Sequence, residues 1–145
     1  MAEMKKEDFL YRESIRKLLK RIDKDCDAII VEGKDDERVL RQLGVSVRIF
    51  RSANRPDEEF CDTVAHASDR VVILTDFDTE GKEIARNLGQ ILREEIDVMN
   101  SYRKEFGRLL TSKDRYCIED LRPLIGKEFD KFDEAKLSRM YSDLG

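Results

Sequence analysis

The chain has 145 residues, of which 40% are hydrophobic and 41% are charged, and its formal net charge is −4. This length suits one domain with one hydrophobic core, and the composition excludes a disordered chain. No apolar run approaches the roughly 20 residues of a membrane helix, and the N-terminal residues lack the apolar core of a signal peptide. We therefore expect a cytoplasmic protein with no membrane contact.

The apolar pattern predicts helices and strands in alternation. Residues 5–24 carry apolar side chains at three- and four-residue spacing, which is typical of an amphipathic helix. The predicted strands are AIIV (28–31), VSVRIF (45–50) and VVILT (71–75), and further helices are expected over DDERVLRQLG (35–44), after Pro56, and from Thr79 to Val98. Strands that alternate with helices indicate a parallel sheet. Strands that are apolar on both faces indicate that helices cover both sides of that sheet.

The last part of the chain is less regular. NSYRKEFGRLL (100–110) is predicted to be helical, YCIEDL (116–121) to contain a short extended piece, and the segment from PLIGKEF (123–129) onward to form one or two helices. No repeat, low-complexity tract or linker divides the chain. We therefore expect a single domain over residues 1–145, with an N-terminal helix at about 5–24, a core at about 27–100 and a C-terminal extension at about 100–145.

Acidic residues follow two of the predicted strands. Glu32 follows the first strand directly, and Asp76, Asp78 and Glu80 follow the third. Because loops after parallel strands emerge on one edge of the sheet, we expect these carboxylates to lie close together. Two unit charges 4 Å apart repel each other by about 4 kcal/mol at an effective dielectric constant near 20. A hard divalent cation with oxygen ligands, above all Mg²⁺, would offset that repulsion.

The same acidic residues also have a purely structural interpretation. Asp78 or Thr79 could cap the following helix, and Glu80 would be favoured by the helix dipole in the first turn. This alternative accounts for two of the acids without any function. It leaves Asp76, Glu32 and the glycine that follows each acidic group unexplained.

The segments VEGKDD (31–36) and ILTDFDTEGKEIA (73–85) resemble the two motifs of the Toprim domain. Topoisomerases of types IA and II, bacterial-type primases, recombination-repair proteins and several nucleases share that domain. The second segment resembles the DxDxEGxxIA stretch of type IA topoisomerases. The first resembles the small ribonucleases that mature 5S ribosomal RNA, and stand-alone Toprim proteins. The resemblance implies an α/β, Rossmann-like fold with about four parallel strands, helices on both faces and extra helices at each end.

The resemblance also implies roles for individual residues. Glu32 would act as a general acid or base, and Asp76 and Asp78 would hold Mg²⁺, or Mn²⁺ in its place. The implied acidic metal ligands are Glu32, Asp76, Asp78 and Glu80, and the glycines that permit tight turns from strand to helix are Gly33 and Gly81. The resemblance implies a phosphate contact for Lys34. Independently of it, the arginine trio Arg48, Arg51 and Arg55, which lies between two acidic stretches, and Lys82 are candidates for contact with phosphate or nucleic acid. A solvated loop lysine is the alternative interpretation of Lys34.

Three functions are compatible with the sequence. The first is Mg²⁺-dependent phosphodiester chemistry on RNA or DNA, as in a small Toprim nuclease of RNA processing or DNA repair. The second is a non-catalytic Toprim adaptor for nucleic-acid or protein partners, which has no need of clustered carboxylates. The third is a DxDxT-type phosphatase, which is disfavoured because about 70 residues precede the motif strand. The choice between RNA and DNA, and the oligomeric state, stay open as well.

Overall fold

The computed structural model describes residues 5–125. The fold is a parallel sheet in the order β2-β1-β3-β4, built from β1 (Ala28–Val31), β2 (Arg48–Arg51), β3 (Arg70–Ile73) and β4 (Asp97–Val98). The helices are α1 (Lys6–Asp25), α2 (Lys34–Gln42), α3 (Asp57–Ala67), α4 (Thr79–Leu92), α5 (Asn100–Thr111) and a 3₁₀ helix (Ile118–Leu124). The predicted four-stranded parallel sheet is therefore confirmed. The helices predicted from PLIGKEF to the C-terminus lie largely outside the described residues.

Alternate residues of the central strands face opposite layers of helices. Ile29 and Val31 of β1 belong to a core formed with α1, α2, α5 and the 3₁₀ helix. Ala28 and Ile30 of the same strand belong to a second core formed with α3 and α4. All four side chains of β1 are buried, which explains why AIIV shows no alternation of apolar and polar residues.

The N-terminal helix α1 packs on the same side of the sheet as α5. Its buried residues recur at three- and four-residue spacing along the helix, as the amphipathic pattern predicts. The hydroxyl of Tyr11 donates a hydrogen bond to the carbonyl oxygen of Leu109 at 2.6 Å, and Arg21 pairs with Glu105 at 2.8 Å. These contacts join the N-terminal helix to the domain core. None of the helices within residues 5–125 is long and apolar enough to cross a membrane.

Two predicted boundaries are wrong. The helix predicted from Thr79 to Val98 ends at Leu92, whose carbonyl oxygen accepts bonds from residues 95 and 96 in a turn that leads into β4. The strand predicted at 45–50 begins only at Arg48, because the carboxylate of Asp23 binds the N–H groups of residues 46 and 47 just before it. The extended piece predicted within residues 116–121 is limited to the residues before Ile118, where the 3₁₀ helix begins; Cys117 has an extended backbone.

The strand order reverses between β1 and β3. From β1 the chain passes to β2 at one edge of the sheet, whereas from β3 it passes to β4 at the other edge. In open parallel sheets, ligands bind outside the carboxyl ends of the strands at such a reversal. The fold therefore favours a site where the residues after β1 and β3 meet.

Candidate functional site

Glu32 and Asp76 meet at this reversal. Glu32 directly follows β1, and strand pairing continues one residue beyond β3, where the N–H of Leu74 donates to the carbonyl oxygen of Ile30 at 2.7 Å. The N–H of Asp76 then donates to Oε1 of Glu32 at 3.3 Å. Both acidic side chains are half-buried. The structure thus brings together two predicted site residues that lie 44 positions apart in the chain.

Asp78 is the N-cap of α4. Its Oδ1 accepts a hydrogen bond from the N–H of Gly81 at 2.7 Å, which satisfies one of the free donors at the helix start. Glu80 lies exposed in the first turn of α4, where the helix dipole favours a negative charge. The structural alternative for these two acids is therefore confirmed. Within residues 5–125, Oδ2 of Asp78 forms no hydrogen bond, so capping leaves one oxygen of this carboxylate for another ligand.

The two predicted turn glycines differ from each other. A Cβ on Gly81 would lie 2.1 Å from the carbonyl oxygen of Asp76, so only glycine lets the first turn of α4 pack against the end of β3. The hydroxyl of Thr75 donates to the carbonyl oxygen of Gly81 at 2.8 Å and holds this contact. Gly33 has φ −140°, which any residue adopts, and a Cβ there would meet nothing within 4 Å. A tight turn therefore explains Gly81 but not Gly33.

Further carboxylates share a cavity with the two predicted ones. A cavity of about 340 Å³ is lined by Glu32, Asp36, Asp76 and Glu119, with Cys117 at its wall. Asp36 is buried on the first turn of α2, and Glu119 is exposed on the 3₁₀ helix. The 3₁₀ helix is held nearby because the N–H of Phe77 donates to the carbonyl oxygen of Tyr116 at 2.6 Å. The segment beyond residue 100 thus contributes to the candidate site.

The pKa values of these carboxylates are raised. Burial, together with the charges of neighbouring carboxylates, raises the pKa of Asp76 to about 7. Burial is also the main cause that raises the pKa of Asp36 to about 6. The pKa of Glu32 is raised by burial and by the charges of Asp78 and Glu80. Each of these groups would ionise more readily beside a cation.

The carboxylate oxygens of this site are ligands of the kind that Mg²⁺ prefers. Within residues 5–125, no three Asp, Glu, His or Cys side chains lie close enough together to hold a metal ion. However, Mg²⁺ typically takes only one or two carboxylates and completes its shell with water and substrate phosphate. Glu32 and Asp76 provide such a pair of oxygen ligands, and the pKa of each carboxyl is raised first by burial and then by the charges of neighbouring carboxylates, which a cation would offset. These residues could therefore hold a hard divalent cation.

Arg103 on α5 fixes the backbone at the end of β3, although it belongs to no motif that the sequence analysis identified. Its guanidinium donates to the carbonyl oxygens of Ile73 at 3.1 Å, Thr75 at 2.9 Å and Asp76 at 3.1 Å. It also lies over the ring of Phe77, 4.3 Å from the centroid. Burial lowers the pKa of Arg103 to about 10, with the charges of Glu32 and Asp76 acting in the opposite direction. Arg103 is thus still a cation at neutral pH.

Three of the predicted basic residues lie beside Glu32. Lys34, Arg51 and Arg55 line a cavity of about 540 Å³ with Glu32, at the carboxyl ends of β1 and β2. Lys34 is exposed, whereas Arg51 is paired with Glu37 at 3.4 Å. A phosphate near Glu32 would therefore find positive charge on the β2 side of the site.

The other two predicted basic residues lie elsewhere. Arg48 begins β2 and pairs with Ala28 at the amino end of β1, so it lies at the opposite edge of the sheet from Glu32. Its guanidinium is stacked on the ring of Phe50, 4.4 Å from the centroid. Lys82, on the first turn of α4, lines a different cavity between α4 and α5. The three arginines that the sequence groups together are thus divided by the fold.

Comparisons with known proteins agree with this architecture. The chain is 37% identical over 116 residues to a UPF0292 protein of Thermococcus sibiricus, which covers 77% of this chain and 90% of that relative. It is 40% identical over 116 residues to a UPF0292 protein of Thermococcus onnurineus, and this match covers 77% of the present chain and 86% of that relative. A solved structure of a protein from Aquifex aeolicus superimposes with a TM-score of 0.62 at 22% identity, covering 74% of this chain and 95% of that one; this likeness concerns the fold alone. The Toprim domain matches residues 27–109, and the chain belongs to the Toprim family.

Proposed function

We propose that this protein carries out Mg²⁺-dependent phosphodiester chemistry on RNA or DNA, as a small Toprim nuclease. Membership of the Toprim family associates the chain with metal-dependent chemistry of nucleic acids. The observation that supports cleavage is the contact between Glu32 and the N–H of Asp76 in a cavity lined by carboxylates. A role in RNA processing or DNA repair is part of the same proposal.

The residues of the site have different roles in this proposal. Asp76, with Glu32 or the free oxygen of Asp78, would hold Mg²⁺, which supplies charge neutralisation and polarises the scissile phosphate. Glu32 is half-buried, and burial raises its pKa above the ordinary value of a glutamate, which is the direction that suits a carboxyl group used for proton transfer. Its position beside the substrate phosphate would let it act at the attacking or the leaving oxygen. Lys34, exposed next to Glu32, would meet the phosphate as a point charge.

A second candidate function is a non-catalytic Toprim adaptor that binds nucleic acid or a protein. Two observations favour it: Asp78 is used as a helix cap, and the part of the chain that the structure describes holds no preformed group of three metal ligands. Against it stands the raised pKa of Asp76, because an adaptor gains nothing from crowded carboxylates. The DxDxT-type phosphatase gains no support, since the Toprim family accounts for the same motif.

Substitution of Glu32 separates the enzyme from the adaptor. Labelled structured RNA, single-stranded DNA and duplex DNA would be incubated with the protein in Mg²⁺, Mn²⁺ or EDTA. Glu32→Gln keeps the shape of the side chain but removes the titrating oxygen, so turnover should fall by about 10²–10⁴-fold. Binding in EDTA should stay within a few-fold or become tighter, because a negative charge leaves the path of the phosphate.

The matched control is Glu58→Gln, an identical change at an exposed position on α3, which should leave turnover unchanged. An adaptor would bind one of the probes and show no metal-dependent cleavage in any buffer. Cleavage that is equally fast in wild type and Glu32→Gln would contradict the role of Glu32. In that case the cleavage would be traced to a contaminating nuclease by testing whether it co-purifies with the protein.

A further inference from the structure

A second cavity lies between α4 and α5, on the side of Phe77. It has a volume of about 520 Å³, and its charged lining residues are Lys82 on α4 and Arg103, Lys104 and Arg108 on α5. No acidic residue of the described chain lines it, although Glu80 and Glu83 flank Lys82 in sequence. We call this cavity the α4–α5 groove. The chain has a net charge of −4, so a cavity lined by four cations and no acidic residue differs in charge from the protein as a whole.

The shape of the groove follows from the sequence of α5. The lining residues 100, 103, 104, 107, 108 and 111 recur at three- and four-residue spacing, so they share one side of the helix. A Cβ on Gly107 would lie 2.9 Å from the ring of Phe77, and glycine therefore lets this ring form the floor. The acid on the same helix, Glu105, is bound to Arg21 of α1 and does not neutralise the groove.

Three of the four groove cations are exposed, namely Lys82 on α4 and two residues of α5. Lys104 and Arg108 are exposed, and within residues 5–125 neither side chain forms an ion pair. Arg103, in contrast, is held by backbone carbonyl oxygens at the end of β3. Lys104 and Arg108 are one helical turn apart, about 6 Å along the axis, so they can contact different phosphates of one strand. The chemistry of the lining therefore suits a polyanion that runs along α5.

The groove begins next to the candidate catalytic residues. Phe77 separates Asp76 from Asp78 in the chain and lines the groove, and Arg103 reaches from the groove to the carbonyl oxygen of Asp76 at 3.1 Å. We infer that the α4–α5 groove binds the sugar-phosphate backbone of a nucleic-acid strand whose reacting phosphate lies at Glu32 and Asp76. The path of the strand rests on the proposed function; the affinity of the groove for phosphates does not.

The test compares two pairs of substitutions with the same charge change and the same helical spacing. Lys104→Gln with Arg108→Gln alters the groove, and Lys20→Gln with Lys24→Gln alters exposed lysines of α1 that do not line it. Binding of labelled single-stranded RNA and DNA 12-mers would be followed by fluorescence anisotropy in EDTA over a salt series. Thermal melting would check that both double variants are folded. If the groove double variant is not folded, Lys104→Gln alone would be used, with half of the expected change in the slope of log K against log salt.

Loss of two phosphate contacts should reduce the slope of log K against log salt by about 1.4 for a single strand. If the affinity in 1 M salt is unchanged, this slope corresponds to about 25-fold weaker binding at 0.1 M salt. The control pair should bind within about twofold of wild type. Equal binding by the groove pair and the control pair would overturn the inference, and so would the absence of any binding at 20 mM salt. A mononucleotide that binds wild type as tightly as a 12-mer would also overturn it, because the groove would then hold a single phosphate ester and not a strand.

The experiments distinguish a failure of the groove proposal from a failure of the nuclease proposal. Weaker binding by the groove pair, without metal-dependent cleavage in any buffer, would support the groove and reject the nuclease. Cleavage that depends on Glu32, with full binding by the groove pair, would support the nuclease and overturn the groove.

Discussion

The carboxylate of Asp76 should destabilise the fold in the absence of divalent metal above neutral pH. Its ordinary pKa of 3.8 rises to about 7 in the folded protein, so between these values the native state binds a proton that the unfolded state does not. Stability therefore falls as pH rises from about 4 to about 7. At 1.36 kcal/mol per pKa unit, the full effect would be about 4 kcal/mol. Because the side chain is only half-buried, solvent screening reduces the expected effect to about 1–2 kcal/mol.

Asp76→Asn isolates this effect, because it removes the charge and keeps the shape. Thermal unfolding in EDTA should give the most similar midpoints for wild type and variant at pH 4, and the gap should widen as pH rises, because the unfolded state loses the proton of this carboxyl near pH 3.8 whereas the native state keeps it to about pH 7. At pH 8 the variant should be more stable by about 1–2 kcal/mol, or about 3–7 °C in Tm for a chain of this length. The control is Asp69→Asn, the same substitution at an exposed aspartate just before β3 and therefore at the opposite end of that strand from the acidic cavity. A loss of several kcal/mol in Asp76→Asn at pH 8 would refute the reasoning and show a structural carboxylate.

Three further changes test the surrounding structure. Gly81→Ala should lower the free energy of unfolding in urea by about 2–4 kcal/mol, because the added Cβ would lie 2.1 Å from a carbonyl oxygen and overpacking is costly. The control, Gly33→Ala, should change that free energy by less than about 1 kcal/mol. Arg103→Met leaves three carbonyl oxygens without their donor and should cost about 2–3 kcal/mol; an unchanged urea midpoint would contradict this role. Addition of 10 mM Mg²⁺ should stabilise wild type by about 1.4 kcal/mol if Kd is about 1 mM, and calorimetry should show no such gain in Asp76→Asn.

The central strands and the acidic edge could be predicted because their signals are local. AIIV is apolar at every position and is buried on both faces, and Glu32 follows it without a gap, so the sheet and its first acid are fixed by adjacent residues. β4 carries no comparable signal. It has only two residues, and the half-buried Ile96 and Val98 around it continue the helical spacing of α4. Only pairing with Arg70 and Val71 of β3 defines it as a strand.

Two of the site residues that sequence reasoning missed, Arg103 and Glu119, are distant in the chain from the acids they accompany. Arg103 lies on a charged helix, where an arginine is usually solvated, and 27 positions separate it from Asp76. Glu119 reaches the cavity only because the 3₁₀ helix follows the bond between Phe77 and Tyr116. Both placements arise from packing of helices onto the sheet, which no local pattern encodes. Asp36 was missed too, but it lies within the motif VEGKDD, four residues after Glu32, so its closeness to that acid in the chain is a local signal.

The contacts of Arg103 show how the fold keeps its carboxylates available. A half-buried cation next to Glu32 and Asp76 could in principle neutralise them, and their charges do oppose the fall in its pKa. Yet its donors are directed to the carbonyl oxygens of Ile73, Thr75 and Asp76, and the pKa of Asp76 still rises to about 7. Arg103 thus fixes the backbone that carries the acids without forming a salt bridge to them. An arrangement that gives up an available ion pair and accepts crowded charge is expected where a site is built for a ligand and not for stability.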